Sequence, residues 1–297
     1  MEHGVLRLLL AICLAVAGAD STAAPRVIHE APSVFGGSVV VTDDGDRLRS
    51  LRFGREGDPQ STILVGDPDY LHLQYARVVL AGLALVDAPR RILVVGLGGA
   101  SLPVFLRKHY PDAMIDVVEI DPAVVAAAKL HFAFKEDDRM RAHVADGRAF
   151  IEKGGQAPYD VIILDAYGSD ATPAHLTTLE FLRAVRKRST PNGVVISSFW
   201  ARGKNPKYDA MVRTYQEAFA GIYLIEAPEK ANHVLFALQR PKPLDRTAFA
   251  AAAKRISSAK GFRFDLGELV NRGYLDAPAM DGRVTALQDA PKSRPQK

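Results

Sequence analysis

The chain has 297 residues, 48% of them hydrophobic, with 38 Lys and Arg set against 34 Asp and Glu. That length and apolarity suffice for one large core, or for one core and a small satellite unit. The charges are interspersed, which argues against a nucleic-acid partner or a polybasic membrane patch, and no CxxC, His-x-x-x-His or similar ligand cluster suggests a metal.

Residues 1–24 read as a secretory signal peptide: Arg7, an apolar run from Leu8 to Ala17, then the small residues Ala17-Gly18-Ala19 where cleavage is expected. The run is too short to span a bilayer comfortably, so no stable span is expected after cleavage. Cys13 lies inside it, and cleavage leaves no cysteine in the mature chain. The expected location is therefore the periplasm or outside the cell, or the cytoplasm if the leader is not processed.

Residues 25–68 are expected to form a small β unit. Ser38–Thr42 and Arg47–Phe53 flank Asp43-Asp44-Gly45-Asp46 as a hairpin, and Thr62–Val65 supplies a third strand. From Tyr70 to Val86 apolar residues recur at helical spacing (Leu71, Tyr75, Val78, Val79, Leu83, Val86). Residues 69–240 then alternate continuous apolar runs with helices, the pattern of an α/β domain whose parallel sheet is covered on both faces. Strands are expected at Ile92–Val95, Ile115–Glu119, Ala142–Val144, Val161–Leu164 and Gly193–Ser198. Ile222–Glu226 and His233–Gln239, joined by a short polar loop, are expected to be antiparallel. Asp121 and Pro122 open a helix as its cap and first residue. Residues 241–297 read as a C-terminal helical extension followed, from Asp276, by a loose tail without periodicity.

The chemistry-bearing residues sit at strand ends. Gly96, Gly98 and Gly99 turn the first strand into Ser101–His109, where exposed amides favour an anionic or carboxylate-bearing group. Glu119 closes the second strand about 20 residues on, where a carboxylate can accept from two ribose hydroxyls. Asp146-Gly147 follows the third strand and Asp165 the fourth. A carboxylate at Asp146 suits an adenine amino group, and one at Asp165 suits a cationic sulfonium or amine. Each aspartate alone reads as a cap or turn residue. All four points in strand order favour an adenosyl-type nucleoside site, and Ser101 in place of a third glycine sets a dehydrogenase far behind.

Val118-Glu119-Ile120-Asp121-Pro122, Asp146-Gly147 and Tyr159–Asp165, preceded by the β unit, resemble the spermidine synthase (polyamine aminopropyltransferase) family over residues 33–240. The resemblance implies the class I methyltransferase fold: a Rossmann-like seven-stranded, mostly parallel sheet with antiparallel last strands, preceded by a small N-terminal β-hairpin unit. It implies decarboxylated S-adenosylmethionine as co-substrate, methylthioadenosine as by-product, a small-molecule amine acceptor and a homo-oligomer. Gly96, Gly98, Gly99, Glu119, Asp121, Asp146, Gly147 and Asp165 become the nucleoside-binding set, and Asp165, Asp170 and Tyr167 the catalytic candidates.

The departures fall on the amine side. Aligned through Ser101-Leu102, Gly98 stands where the family carries the aspartate that grips the aminopropyl end. Gly168 stands where its second loop aspartate takes the amine's proton, with Asp170 two residues later. Gln74-Tyr75-Ala76 roughly meets its Tyr-His-Glu. Gln60 and His175 are weaker candidates for the amine site and a base, and Trp200 with Tyr208 for a lid. Two alternatives stand beside aminopropyl transfer: a methyltransferase using S-adenosylmethionine, and an exported, non-catalytic nucleoside-binding protein.

Overall fold

The computed structural model describes residues 25–167, 172–276, 279 and 282–291. The leader and Asp170 therefore lie outside the described residues. No helix among those described is long and apolar enough to cross a membrane.

The N-terminal unit is an antiparallel sheet in sequential order: β1 (Arg26–Pro32), β2 (Ser38–Asp43), β3 (Leu48–Phe53), β4 (Pro59–Leu64) and β5 (Asp67–Leu71). It has five strands where the sequence suggested three. The two additional strands are the edges; β1 is largely exposed and β5 is short and contains Pro68, so neither shows hydrophobic alternation. Val39, Val41 and Leu51 form the inner face that packs on the rest of the molecule.

The expected helix 70–86 is divided. Tyr70 and Leu71 end β5, α1 spans Gln74–Val79, and Leu80–Leu85 tightens into a 3-10 turn. Leu80, Ala81, Gly82, Leu83 and Leu85 are all buried, so this stretch has no solvent face from which to read a period.

The larger unit alternates β6 (Arg91–Val95), α2 (Ser101–His109), β7 (Met114–Glu119), α3 (Pro122–His131), β8 (Met140–Val144), α4 (Gly147–Lys153), β9 (Tyr159–Leu164), α5 (Leu179–Arg188), β10 (Ser189–Trp200) and α6 (Tyr208–Ala218). It closes with β11 (Gly221–Glu226), β12 (Asn232–Leu238), α7 (Arg246–Ala259), α8 (Leu266–Gly273) and the two-residue β13 (Tyr274–Leu275). The sheet order is β13-β11-β12-β10-β9-β6-β7-β8. β8, β7, β6, β9 and β10 are parallel, and β12 and β11 antiparallel. The family's seven strands are thus present, with β13 added at the β11 edge.

Strand alternation divides the core between the faces. Ile92, Val94, Val161, Ile163 and Ile196 look toward the N-terminal sheet, α1–α3, α7 and α8; Leu93, Val95, Ile162 and Val195 look toward α5 and α6. One consequence of β6 pairing with both β7 and β9 is that three strand ends meet at a single edge. In open α/β sheets that carboxyl edge is where ligands bind.

The C-terminal segment departs from the expected loose tail. Leu287 carbonyl accepts from Leu179 N at 2.8 Å, Leu287 N donates to Thr214 Oγ1 at 2.9 Å, and Ala286 and Leu287 pack against the α5–α6 core. Point contacts rather than periodicity hold it, so sequence pattern gave no sign of them.

Candidate active site

The N-terminal sheet closes over the carboxyl edge of β6, β7 and β9 and leaves a cavity of about 550 Å³. That volume is in the range of pockets that engulf a ligand of nucleoside size or larger. Its floor is the glycine turn after β6. Gly96 has φ +101°, and a Cβ there would lie 2.4 Å from the Asp165 carbonyl oxygen, so only glycine lets the β6 and β9 ends come this close. Gly98, at φ +50°, faces the cavity with only Ser61 near its Cβ direction, at 3.5 Å. Gly99 packs against Phe132 and Ser61 and does not line the cavity.

Glu119 is fixed by the turn it faces. Oε2 accepts from Leu97 N at 3.0 Å and Oε1 from Asp121 N at 3.0 Å. Burial pushes its carboxyl above the ordinary range, opposed by those backbone amides. Each oxygen keeps a lone pair for a further donor, as a pair of vicinal hydroxyls would supply.

Asp121 lines the same wall but is occupied on both oxygens: Oδ1 caps α3 through Ala123 N at 2.9 Å, and Oδ2 accepts from Ser33 Oγ at 2.6 Å. Its role in the structure is to join the β1–β2 hairpin to the start of α3. Asp146 is likewise engaged. Oδ1 caps α4 through Ala149 N at 2.8 Å, and Oδ2 lies 2.7 Å from His175 Nε2. Burial works against its ionised form, but the amides and His175 outweigh it and its carboxyl sits below the usual range. Gly147 is packed on Val95 at the cavity edge. His175 therefore faces Asp146 on the nucleoside side of the cavity.

Asp165 is the most unusual group. Oδ2 accepts from Tyr75 OH at 3.1 Å, while Oδ1 is shielded from solvent and has no partner among the described residues. Burial pushes the carboxyl up to about 7, only partly offset by the Tyr75 hydroxyl. Tyr75, from α1, is held well above its ordinary range by burial and by Asp165, and so stays a proton donor to that carboxylate. Tyr167 donates to Ser198 Oγ at 3.2 Å and receives Asn232 Nδ2 at 3.4 Å. Burial raises its phenol as well, so it lines the cavity as a neutral hydroxyl and is unsuited to the role of base.

The structure brings Gly96, Gly98, Glu119, Asp121, Asp146, Gly147, Asp165 and Tyr167 around one cavity, together with Gln60 and His175. Gln60 is turned partly aside, its Nε2 bonding the Asp58 carbonyl at 3.3 Å. Trp200 and Tyr208 do not form a lid: Tyr208 is buried, with its hydroxyl 2.7 Å from His233 Nδ1. Sequence reading missed Ser33, Phe35 and His72, all of which line the cavity. They come from loops and strand ends of the N-terminal sheet, where no motif marks which side chains point inward.

A parallel sheet with a glycine turn after its first strand and carboxylates ending the next three defines a Rossmann-like protein of the class I methyltransferase fold. Comparison with known proteins gives the family. The chain belongs to the spermine/spermidine synthase family: the spermine/spermidine synthase domain matches residues 75–218. The polyamine aminopropyltransferase of Vibrio vulnificus (strain CMCP6) is 32% identical over 265 residues, covering 87% of each chain. A probable spermidine synthase from Corynebacterium glutamicum ATCC 13032 shares the fold, with TM-score 0.72 at 19% identity over 91% of this chain and 99% of that one. Human methyltransferase-like protein 13, solved in complex with SAH, is 29% identical with TM-score 0.55 over 70% of this chain and 96% of that one.

Proposed function

We propose that the protein is a transferase that moves the aminopropyl group of decarboxylated S-adenosylmethionine to a small amine. The observation that carries this reading is Asp165: a carboxylate with an unpartnered, solvent-shielded oxygen at the floor of a cavity walled by Glu119. A buried, unpaired carboxylate is costly unless a cation arrives to pair with it. The donor's sulfonium and the acceptor's ammonium are such cations.

In this reading Glu119 accepts from the ribose hydroxyls and the glycine turn borders the methionine-derived arm. The Asp146–His175 wall borders the base. The neutral amine attacks the carbon next to sulfur. A C–N bond forms, the C–S bond breaks with its electron pair going to sulfur, and methylthioadenosine leaves uncharged. The proton shed by the new ammonium passes to Asp165 Oδ1. A carboxylate that titrates near 7 can hold and release that proton at neutral pH, as efficient general-base catalysis requires. Tyr75 steadies Oδ2 by donating to it at 3.1 Å, which leaves Oδ1 as the oxygen to take that proton. This assigns to Asp165 the proton transfer for which the family's second loop aspartate is absent at Gly168.

A methyltransferase is the second reading, favoured by Gly98. With no carboxylate at that point the turn accepts the carboxylate of S-adenosylmethionine, which an aspartate there would repel, and the likeness to the human methyltransferase-like protein points the same way. Incubating the protein with decarboxylated S-adenosylmethionine and a panel of diamines, and quantifying methylthioadenosine by chromatography, tests the first reading. Release of methylthioadenosine with an amine supports it. Turnover of S-adenosylmethionine to S-adenosylhomocysteine, with none of the decarboxylated donor, replaces it with the second.

A further inference from the structure

The C-terminal segment reaches the nucleoside wall through a short series of polar contacts. Asp289 grips Arg148 with both oxygens, at 2.7 Å from Nη1 and 2.6 Å from Nη2. Arg148 is the residue after Gly147. Its Nη1 also reaches the His175 carbonyl at 3.3 Å and Thr178 Oγ1 at 3.4 Å, and its Nε bonds Glu152 at 2.7 Å. The His175 ring returns to Asp146 at 2.7 Å. On the other side, Asp289 N donates to Glu180 Oε2 at 3.0 Å, and Leu287 is pinned to α5 and α6. Asp289 is thus held by α5, and its carboxylate joins α4 to the segment 173–178 that faces α4 across the cavity edge.

We propose that segment 284–289 is a clamp on the nucleoside wall, with Asp289 a positioning residue that acts through Arg148 to fix His175 against Asp146. A fork-to-fork guanidinium–carboxylate pair constrains direction as well as distance. Arg148 holds the Asp289 carboxyl down to about 2, so the pair stays ionised across the physiological range. Side-chain exposures of 19% for Arg148 and 36% for Asp289 make it a partly solvated pair, whose effect on global stability is small. Its consequence is local, since without it Arg148 no longer orients the carbonyl of His175. Clamp and ligand are coupled reciprocally: if the ordered tail favours nucleoside binding, bound nucleoside orders the tail to the same extent.

The clamp rests on the reading of this cavity as a nucleoside site, and two measurements on the full chain separate the two ideas. In the ligand-free protein, Asp289→Ala is expected to speed hydrogen exchange in 145–149 and 173–178 while leaving the unfolding temperature nearly unchanged. Unaltered exchange in both segments would overturn the clamp. In the presence of methylthioadenosine, the parent protein is expected to show slowed exchange in 284–290, and Asp289→Ala to bind it about five- to twentyfold more weakly, the lower part of the usual range of coupling between sites. Because methylthioadenosine is uncharged, the electrostatic part of any salt effect on its binding comes through the protein's ion pairs, and the salt-dependent burial of apolar surface is shared by parent and variant. High salt should therefore weaken binding in the parent relative to the variant. Equal affinities in the two proteins would also overturn the clamp. Faster exchange in the variant, with no methylthioadenosine binding by the parent, would uphold the clamp and overturn the nucleoside reading.

Discussion

Replacing Asp165 by asparagine should make the protein more stable at pH 8 while removing its activity. The folded chain holds the Asp165 proton more tightly than the unfolded chain does, since burial raises its carboxyl from 3.8 to about 7. The stability tied to that proton is complete below pH 3.8 and is lost as pH rises through 7, so at pH 8 the native state carries the full cost of a buried charge. At ~1.4 kcal/mol for each tenfold change in the protonation equilibrium, the rise corresponds to a ceiling of about 4 kcal/mol. Local relaxation lowers the effect to a working figure of about 2 kcal/mol. Asparagine keeps the acceptor for Tyr75 and is neutral at every pH, so it removes that cost. For a chain of this size, with an unfolding entropy of ~0.6 kcal/mol per K, each kcal/mol moves Tm by ~1.6 °C, so the expected gain is roughly 3 °C at pH 8, shrinking toward zero at pH 4. Thermal unfolding followed by circular dichroism at both pH values measures it. A variant no more stable than its parent at pH 8, or one whose gain is the same at pH 4, would refute the argument that Asp165 is a strained carboxylate awaiting a cation.

Four further outcomes follow, three from the site geometry and one from the leader sequence. Glu119→Ala removes the acceptor fixed by Leu97 N and Asp121 N, and should weaken methylthioadenosine binding by about 100-fold or more in calorimetric titration, the loss expected when a pair of charge-assisted hydrogen bonds disappears. Tyr75→Phe deletes the hydroxyl that donates to Asp165 Oδ2, so the acid limb of kcat/KM should move to higher pH; an unmoved limb would detach that titration from Asp165. Gly98→Asp meets no steric obstacle, and aspartate tolerates a φ of +50°, so the variant should shift preference toward the decarboxylated donor, read as the ratio of its affinity to that of S-adenosylmethionine. N-terminal sequencing of the native protein should begin after Ala19 or a few residues later, whereas an intact Met1 would contradict an export signal.

What sequence alone revealed depends on how each element is buried. β6, β9 and the Val194–Ile196 core of β10 are covered on both faces, so their continuous apolar runs marked them as strands of a parallel-type sheet, while β7 was legible despite Asp116 within it. β1 and β5 are exposed edges with no such run. Glu119, Asp146 and Asp165 were legible because strand ends in this fold converge on one edge, whatever the intervening helices do. Their partners were not: that Asp146 meets His175, or that Asp121 meets Ser33, depends on loop paths that leave no periodic trace. Asp289 is the extreme case, since one side chain in an aperiodic tail finds Arg148 across 141 positions of sequence.

On the proposed reading, the orphaned Oδ1 of Asp165 would give the site a built-in exchange of one positive charge for another. In the empty cavity near neutral pH a proton would sit there part of the time; an incoming sulfonium would displace it into solvent, and donor affinity is then expected to climb with pH up to and somewhat beyond 7. The chemistry then annihilates the sulfonium's charge and liberates a proton at the same spot, so the uncharged thioether is left facing an acid that no longer attracts it. Turnover is in this sense self-clearing, and buffered calorimetry would see it as protons expelled when donor binds and none when methylthioadenosine does.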